Sequence, residues 1–207
     1  MKKTGHFGVN PAIGEFVITG LCPAGKALPD LSIGDNAVIR SHSVIYAGNR
    51  IGDNFQTGHG ALVREGNTIG SDVSVGSHSV IERQNQIGNH VRIHSNCFIP
   101  EFVIIEDNVW IGPGVTILNV LHPPCPEFEK CAKSVHIKRN AKIGGQVTIG
   151  PRVTIGLNSL IGMGSVVTAD IPDNVLAYGN PARVIKPIDQ LTCELEYYAV
   201  PYEWEIK

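Results

Sequence analysis

Five histidines stand out along the chain: His42, His59, His78, His94 and His122. A neutral imidazole titrating near pH 6.5 can take a proton from a hydroxyl or amine. A carboxylate such as Glu101 can orient that ring or its partner, and the side-chain amide of Asn119 can hold a developing oxyanion. The stretch His122-Pro-Pro-Cys125-Pro-Glu-Phe-Glu-Lys-Cys131 adds one imidazole and two thiols within ten residues. It reads first as a pair of free thiols. The alternatives are a Zn²⁺ staple through His122, Cys125 and Cys131 with a fourth ligand from elsewhere, or a disulfide.

These groups can work together only if something holds them in register, and an internal period does so. Stepping by six from Ile33 to Ile117 meets Ile or Val at fourteen of fifteen positions, with Thr57 the exception. The register resumes at Ile137 and runs through Ile143, Ile149, Ile155 and Ile161 to Val167. A strand alternates with period two and a helix with period about 3.6, so a period of six fits neither a hairpin meander nor an amphipathic helix. It predicts a solenoid in which each hexad makes one short strand and one turn, three hexads closing an 18-residue coil. The second hexad position is often Gly, as at Gly34, Gly52 and Gly70, and the next two are often Asp, Asn or Ser, residues that suit turns. The fifth is small or aliphatic (Ala37, Val73, Val91), a second inward site.

Stacking then brings distant residues together, because positions 18 apart lie one above another at a strand spacing of about 4.8 Å. On the third face this predicts an outward column of Glu65, Arg83, Glu101 and Asn119. As a purely solvated ladder such a column contributes under about 1 kcal/mol. The step from Ile117 to Ile137 takes 20 residues where 6 suffice, so a loop of about Pro123–His136 projects beside Asn119. Long insertions in a rigid scaffold carry binding groups at little cost to the core. The histidines lie beside the second face. His94 takes the slot that is Gly76 one coil before and Gly112 one coil after, a notch open to a ligand. Residues 1–32 hold one hexad-like stretch, Ile13-Gly14-Glu15-Phe16-Val17-Ile18, and read as a cap.

The segment Ile143–Val167 and the ending Tyr178-Gly179-Asn180-Pro181-Ala182-Arg183-Val184-Ile185 resemble the closing coils and C-terminal signature of the hexapeptide-repeat acyltransferases. The resemblance covers about residues 33–186. It implies an all-β, left-handed parallel β-helix over 1–186, with Pro187–Lys207 as a tail carrying Tyr197, Tyr198, Tyr202 and Trp204 and packing on a neighbouring subunit. It also implies a homotrimer with sites between subunits and acetyl-CoA as donor. Gly144, Gly145, Gly162, Gly164 and Ser165 would line the pantetheine arm, and Arg183 and Lys186 would meet the phosphates. Val115–Pro123 looks like the segment of sugar-nucleotide N-acyltransferases that reads Thr-Asn-Asp before a short run to Pro. Asn119 matches, while Leu118 and Val120 replace its neighbours. The acceptor implied is a small molecule, a nucleotide-linked amino sugar above all. The expected roles are His94 or His122 as proton acceptor, with Glu101 and Asn119 in the acceptor site.

Two rival readings share the fold. Gly58-His59-Gly60-Ala61 resembles a segment of γ-class carbonic anhydrases, but Arg64 stands where a second metal-binding His is needed. A non-catalytic scaffold is the other. Composition narrows the rest: formal charge −2 with 17% charged residues leaves no basic stripe for nucleic acid. No window approaches the roughly 18 apolar residues of a membrane span. Five scattered cysteines do not resemble a disulfide framework, so a reducing cytoplasm is the expected setting.

Overall fold

A computed structural model describes residues 5–25, 27–132, 134–193, 198, 201 and 202. Tyr197 and Trp204 lie outside the described residues. Each hexad forms one strand, mostly of two residues, and strands 18 apart pair in parallel, as Thr68 with Gln86 and Ile69 with Ile87. Among the described residues the pairings assemble three faces: eight strands on the first, eight on the third and ten on the second, the last two of which form an antiparallel hairpin, Val175–Gly179 and Ala182–Pro187. The architecture is a left-handed parallel β-helix.

The hexad heads fill the interior. Ile39, Ile45, Ile81, Ile93, Ile99, Ile105, Ile111 and Ile117 are each at most 1% exposed, and each contributes roughly 1.5–3 kcal/mol by leaving water. Thr57 fits the same slot because its hydroxyl is satisfied there, accepting from the Arg40 N–H at 3.0 Å and meeting Ser43 Oγ at 3.2 Å. The fourth position of most hexads adopts a left-handed backbone conformation. Asn suits it at Asn36, Asn54 and Asn108, but His42, His78 and Phe102 occupy it as well.

One core feature departs from the small-or-aliphatic fifth position. Asn49, Asn67 and Asn85 occupy it in three successive coils and are buried. Each side-chain oxygen accepts the backbone N–H one coil on: Asn67 to Asn49 at 2.8 Å, Asn85 to Asn67 at 2.7 Å, Val103 to Asn85 at 2.7 Å. Each Nδ2 donates to a carbonyl three residues back. The ladder leaves no side-chain hydrogen-bonding group of these amides unpaired, which makes polar burial tolerable.

Two boundaries differ from the sequence reading. Residues 1–32 are more than a cap: His6–Phe7, Ala12–Ile13 and Ile18–Leu21 form a full first coil. It pairs with the next at a separation of 26 residues, Phe7 with Ile33, and this longer spacing hides its register. His136 belongs to the coil instead of the loop, pairing with Ile104 and Thr154, and Glu106 meets its ring at 2.6 Å. The insertion therefore closes before Val135, which is fully buried.

Candidate functional site

The predicted column is seen at Arg83, Glu101 and Asn119, while Glu65, 5% exposed, pairs with Arg64. It runs down the edge where the third face turns into the first, because each of its members follows a third-face strand. Asn119, 7% exposed, donates from Nδ2 to Glu101 Oε2 at 3.1 Å and to the Glu101 carbonyl at 3.3 Å. Below it, Arg83 Nε lies 3.8 Å from Glu101 Oε1. Glu65 pairs with its neighbour Arg64 at 2.9 Å, and Arg64 also reaches Glu82 at 3.4 Å. Burial raises the Glu82 carboxyl above the usual range; Glu101 and Glu65 add to the rise, and Arg64 and Arg83 oppose it. Arg64, at the position a second metal-binding His would take, is thus a cation committed to carboxylates.

The loop rises above this edge. Exposed His122 lies three residues beyond Asn119, at the loop base. A single helical turn, Phe128–Cys131, carries Phe128 and Glu129 back toward Arg83. Cys125 and Cys131 form a disulfide with Cα atoms 6.4 Å apart. This corrects the expectation of free thiols: the turn folds the chain back across six residues and brings the sulfurs together. Bonded to each other, they are not the thiolates that a zinc arrangement with His122 requires. Among the described residues no group of three or more His, Cys, Asp or Glu side chains is arranged to hold a metal.

His94 occupies a different place. It lies at the edge between the second and third faces, at the opposite end of the third-face strand from Glu101. Its ring packs on Trp110 with centroids 4.7 Å apart, and Nε2 is buried without a hydrogen-bond partner among the described residues. Burial lowers its pKa, and the Arg92 charge lowers it further, so the ring is neutral at neutral pH. Within one chain Glu101 does not orient His94. His42 and His78 are exposed turn residues, His42 against Phe16, and His59 Nδ1 bonds Ser41 Oγ at 2.9 Å.

The glycines continue the His94 edge toward the C-terminus. Gly164 N–H donates to the Gly145 carbonyl at 2.9 Å. A side chain at Gly144 would meet Met163 N at 2.5 Å, and one at Gly162 would meet Tyr178 Cβ at 2.7 Å, so these two are required by coil stacking. At Gly164 nothing lies within 4 Å of a built Cβ, and at Gly145 the nearest atom is 3.3 Å away. Those two leave a strip of bare backbone, open at Gly164 and bordered by Pro113 at Gly145. Ser165 is not part of it. Its hydroxyl, 1% exposed, donates to the Gly162 carbonyl at 2.6 Å and accepts from Gly179 N–H at 3.1 Å, closing the terminal turn. Arg183 and Lys186 lie on the terminal hairpin, bonded only to backbone carbonyls and without a carboxylate partner among the described residues. In the tail, Tyr202 places its ring 5.4 Å from Lys142 Nζ, a contact within the chain itself.

Two edges of one prism thus carry different equipment: a charged, loop-covered edge and an open glycine edge with a neutral buried imidazole. Residues 86–119 match the family described as bacterial transferase hexapeptide (six repeats), and residues 134–169 match the hexapeptide repeat of succinyl-transferase. The galactoside O-acetyltransferase of Escherichia coli is 45% identical over 107 residues, covering 50% of this chain and 52% of that protein. That of Lactococcus lactis is 43% identical over 91 residues, covering 42% and 44%. The aligned part therefore spans about half the length of these curated relatives. The crystal structure of the polySia-specific acetyltransferase NeuO shares the fold, with a TM-score of 0.53 at 19% identity over 90% of this chain and 86% of that one. No described helix is long and apolar enough to cross a membrane. Repeat, coil geometry and family models agree: the coils carry the hexapeptide repeat of the bacterial transferase families matched over residues 86–119 and 134–169.

Proposed function

We propose that this protein transfers an acetyl group from acetyl-CoA to a hydroxyl or amine of a small sugar acceptor, with a nucleotide-linked sugar as the leading class. The observation that carries the reading is the Glu101–Asn119 pair under the inserted loop, on a scaffold whose neighbouring edge is an open glycine strip. The kinship with sugar O-acetyltransferases supports a sugar acceptor. The Asn119 segment, which resembles that of sugar-nucleotide enzymes, supports the nucleotide.

Acetyl-CoA supplies an activated thioester when bound. The strip along Gly145 and Gly164, which carry no side chains of their own, would take a thin pantetheine arm, and Arg183 and Lys186, without a carboxylate partner among the described residues, suit phosphates at its end. His122 is the proton acceptor for the attacking hydroxyl or amine, being the exposed imidazole nearest in sequence to the pair. Glu101 orients the acceptor through its polar hydrogens, and Asn119, whose Nδ2 donates to the Glu101 carboxylate and carbonyl, fixes Glu101 in the acceptor site. His94, neutral and packed on Trp110, lies on the glycine edge that would take the donor.

The two edges lie at opposite ends of the third face, so one chain does not complete the site. A homotrimer that sets the loop edge of one subunit against the glycine edge of the next would complete it, and cytoplasmic acetyl-CoA would supply it. The test is a thiol-release assay of the purified trimer with acetyl-CoA against a panel of free and nucleotide-linked sugars, comparing wild type with His122→Ala and Glu101→Gln. Loss of about 10²–10⁴-fold in kcat/KM is expected for His122→Ala, the usual share of a general base. Near wild-type turnover in both folded variants would remove the assignment.

A further inference from the structure

Arg83 has contacts that a solvated ladder does not require. Its Nη1 donates to Glu129 Oε1 in the loop at 3.2 Å, across 46 residues of sequence, and to Gln84 Oε1 at 3.3 Å. Its Nε faces Glu101 Oε1 at 3.8 Å. The guanidinium carbon lies 5.5 Å from the Phe102 ring and 6.0 Å from the Phe128 ring. One cation therefore touches the coil through Phe102, the site carboxylate Glu101, and the loop through both Phe128 and Glu129. Phe102 holds a left-handed backbone, φ 66°, a conformation bulky residues rarely adopt, and from there its ring faces Arg83.

The loop depends on this contact. Among the described residues, every ion pair and ring contact between the helical turn and the coils runs through Arg83. The Arg83–Glu129 pair alone would contribute little, since Glu129 is 74% exposed. A guanidinium shared between two rings and two carboxylates is a different matter, because its planar face and its N–H groups are engaged together.

We propose that Arg83 is a positioning residue that fastens the inserted loop over the Glu101–Asn119 pair and thereby sets acceptor affinity. The inference rests on the reading that this edge takes the acceptor. Arg83 orients Glu101 from below and holds the loop from the side, so its loss leaves the loop displaced more of the time. The bound acceptor must then restore the closed arrangement at the expense of its own binding energy.

Arg83→Met keeps the aliphatic stem and removes the charge and the planar group. Two measurements test it. Hydrogen exchange on the ligand-free protein should show the Lys130, Cys131 and Ala132 amides, which bond within the turn, exchanging at least about fivefold faster, while coil amides such as Ile105 keep their rates. Steady-state kinetics should show acceptor KM raised about 5- to 10-fold, with kcat within about twofold and acetyl-CoA KM unchanged. Glu129→Gln should move both readouts the same way by less, and should add little on top of Arg83→Met. Unchanged loop exchange in Arg83→Met overturns the clamp, whatever reaction the protein catalyses. Faster exchange with an unchanged acceptor KM overturns the positioning role. If wild type turns over no sugar with acetyl-CoA, the functional reading fails, and the exchange measurement still decides whether Arg83 fastens the loop.

Discussion

Replacing Asn67 by Ala should damage the fold more than any single surface change, and the structure sets the size of the effect. The substitution removes a donor to the Arg64 carbonyl at 2.7 Å and an acceptor for the Asn85 N–H at 2.7 Å. The Asn85 N–H stays in the interior, where water does not replace the lost bond, and the Arg64 carbonyl is part-buried. Each unsatisfied group costs about 1–3 kcal/mol, so the pair costs about 2–6 kcal/mol. Ser71→Ala is the matched control. It also removes an acceptor for a neighbouring coil, Asp53 N–H at 3.1 Å, but at an exposed turn, and should cost under about 1 kcal/mol. Asn67→Asp keeps an acceptor but buries a charge against a carbonyl, and should do worse than Ala. Urea unfolding of the three variants gives the ordering. Exchange at a single site tests the mechanism: the Asn85 amide should lose protection by about 5- to 150-fold in Asn67→Ala, while its neighbour Gln86, bonded to the Val103 carbonyl, is affected less. If Asn67→Ala matched Ser71→Ala in stability and left Asn85 exchange untouched, the ladder would be a passive alignment of amides and the argument would fail.

Three further outcomes follow from the two edges. His94 has a lowered folded pKa, so below about pH 6.5 the unfolded chain takes up a proton that the folded one refuses, and stability falls as pH drops through that window. Melting temperatures of wild type and His94→Asn from pH 7.5 to 5 should converge on acidification; parallel curves would refute the burial argument. Taking the difference removes Glu82, whose raised pKa acts in the opposite direction in both proteins. Gly145→Leu should abolish detectable coenzyme A binding by calorimetry while leaving the protein folded with a lowered melting temperature, because the Pro113 carbonyl, 3.3 Å from its Cβ, must yield by only a few tenths of an ångström. Gly144→Leu should fail to fold, its Cβ meeting backbone at 2.5 Å. Cys125→Ser should speed exchange in residues 128–131 and leave the coil's urea midpoint unchanged, since the bridge closes a loop outside the core; a lowered midpoint would place the loop within the cooperative unit.

Much of this was legible before any coordinates. A hexad head buried in every coil is a one-dimensional signal, and a period of 18 turns sequence distance directly into stacking. That arithmetic placed Asn119 over Glu101. The Asn ladder carried the same signal, three amides 18 apart at an inward position, but Asn is so common at the turns that its inward slot passes unnoticed. The spacing of Cys125 and Cys131 suits thiols, a metal or a disulfide alike, and only the backbone path through the helical turn decides among them. The first coil was hidden because extra residues shift it out of register. Hexad position fixes which edge a residue occupies, and it sets His94 and Glu101 at opposite ends of the third face.

Departures from the 18-residue step share a location. Phe7 pairs with Ile33 across 26 residues, Ile105 with Ile137 across 32 and Ile155 with Ile171 across 16. In each case the added or missing residues fall after a third-face strand and before a first-face strand. The prism therefore has two edges of fixed gauge and one that works as a socket. Chain can be lengthened, shortened or exchanged there without moving a single interior isoleucine. On the proposed function, a new acceptor preference would then be a matter of transplanting what lies between Asn119 and Val135, the glycine edge and the barrel of isoleucines remaining as they are.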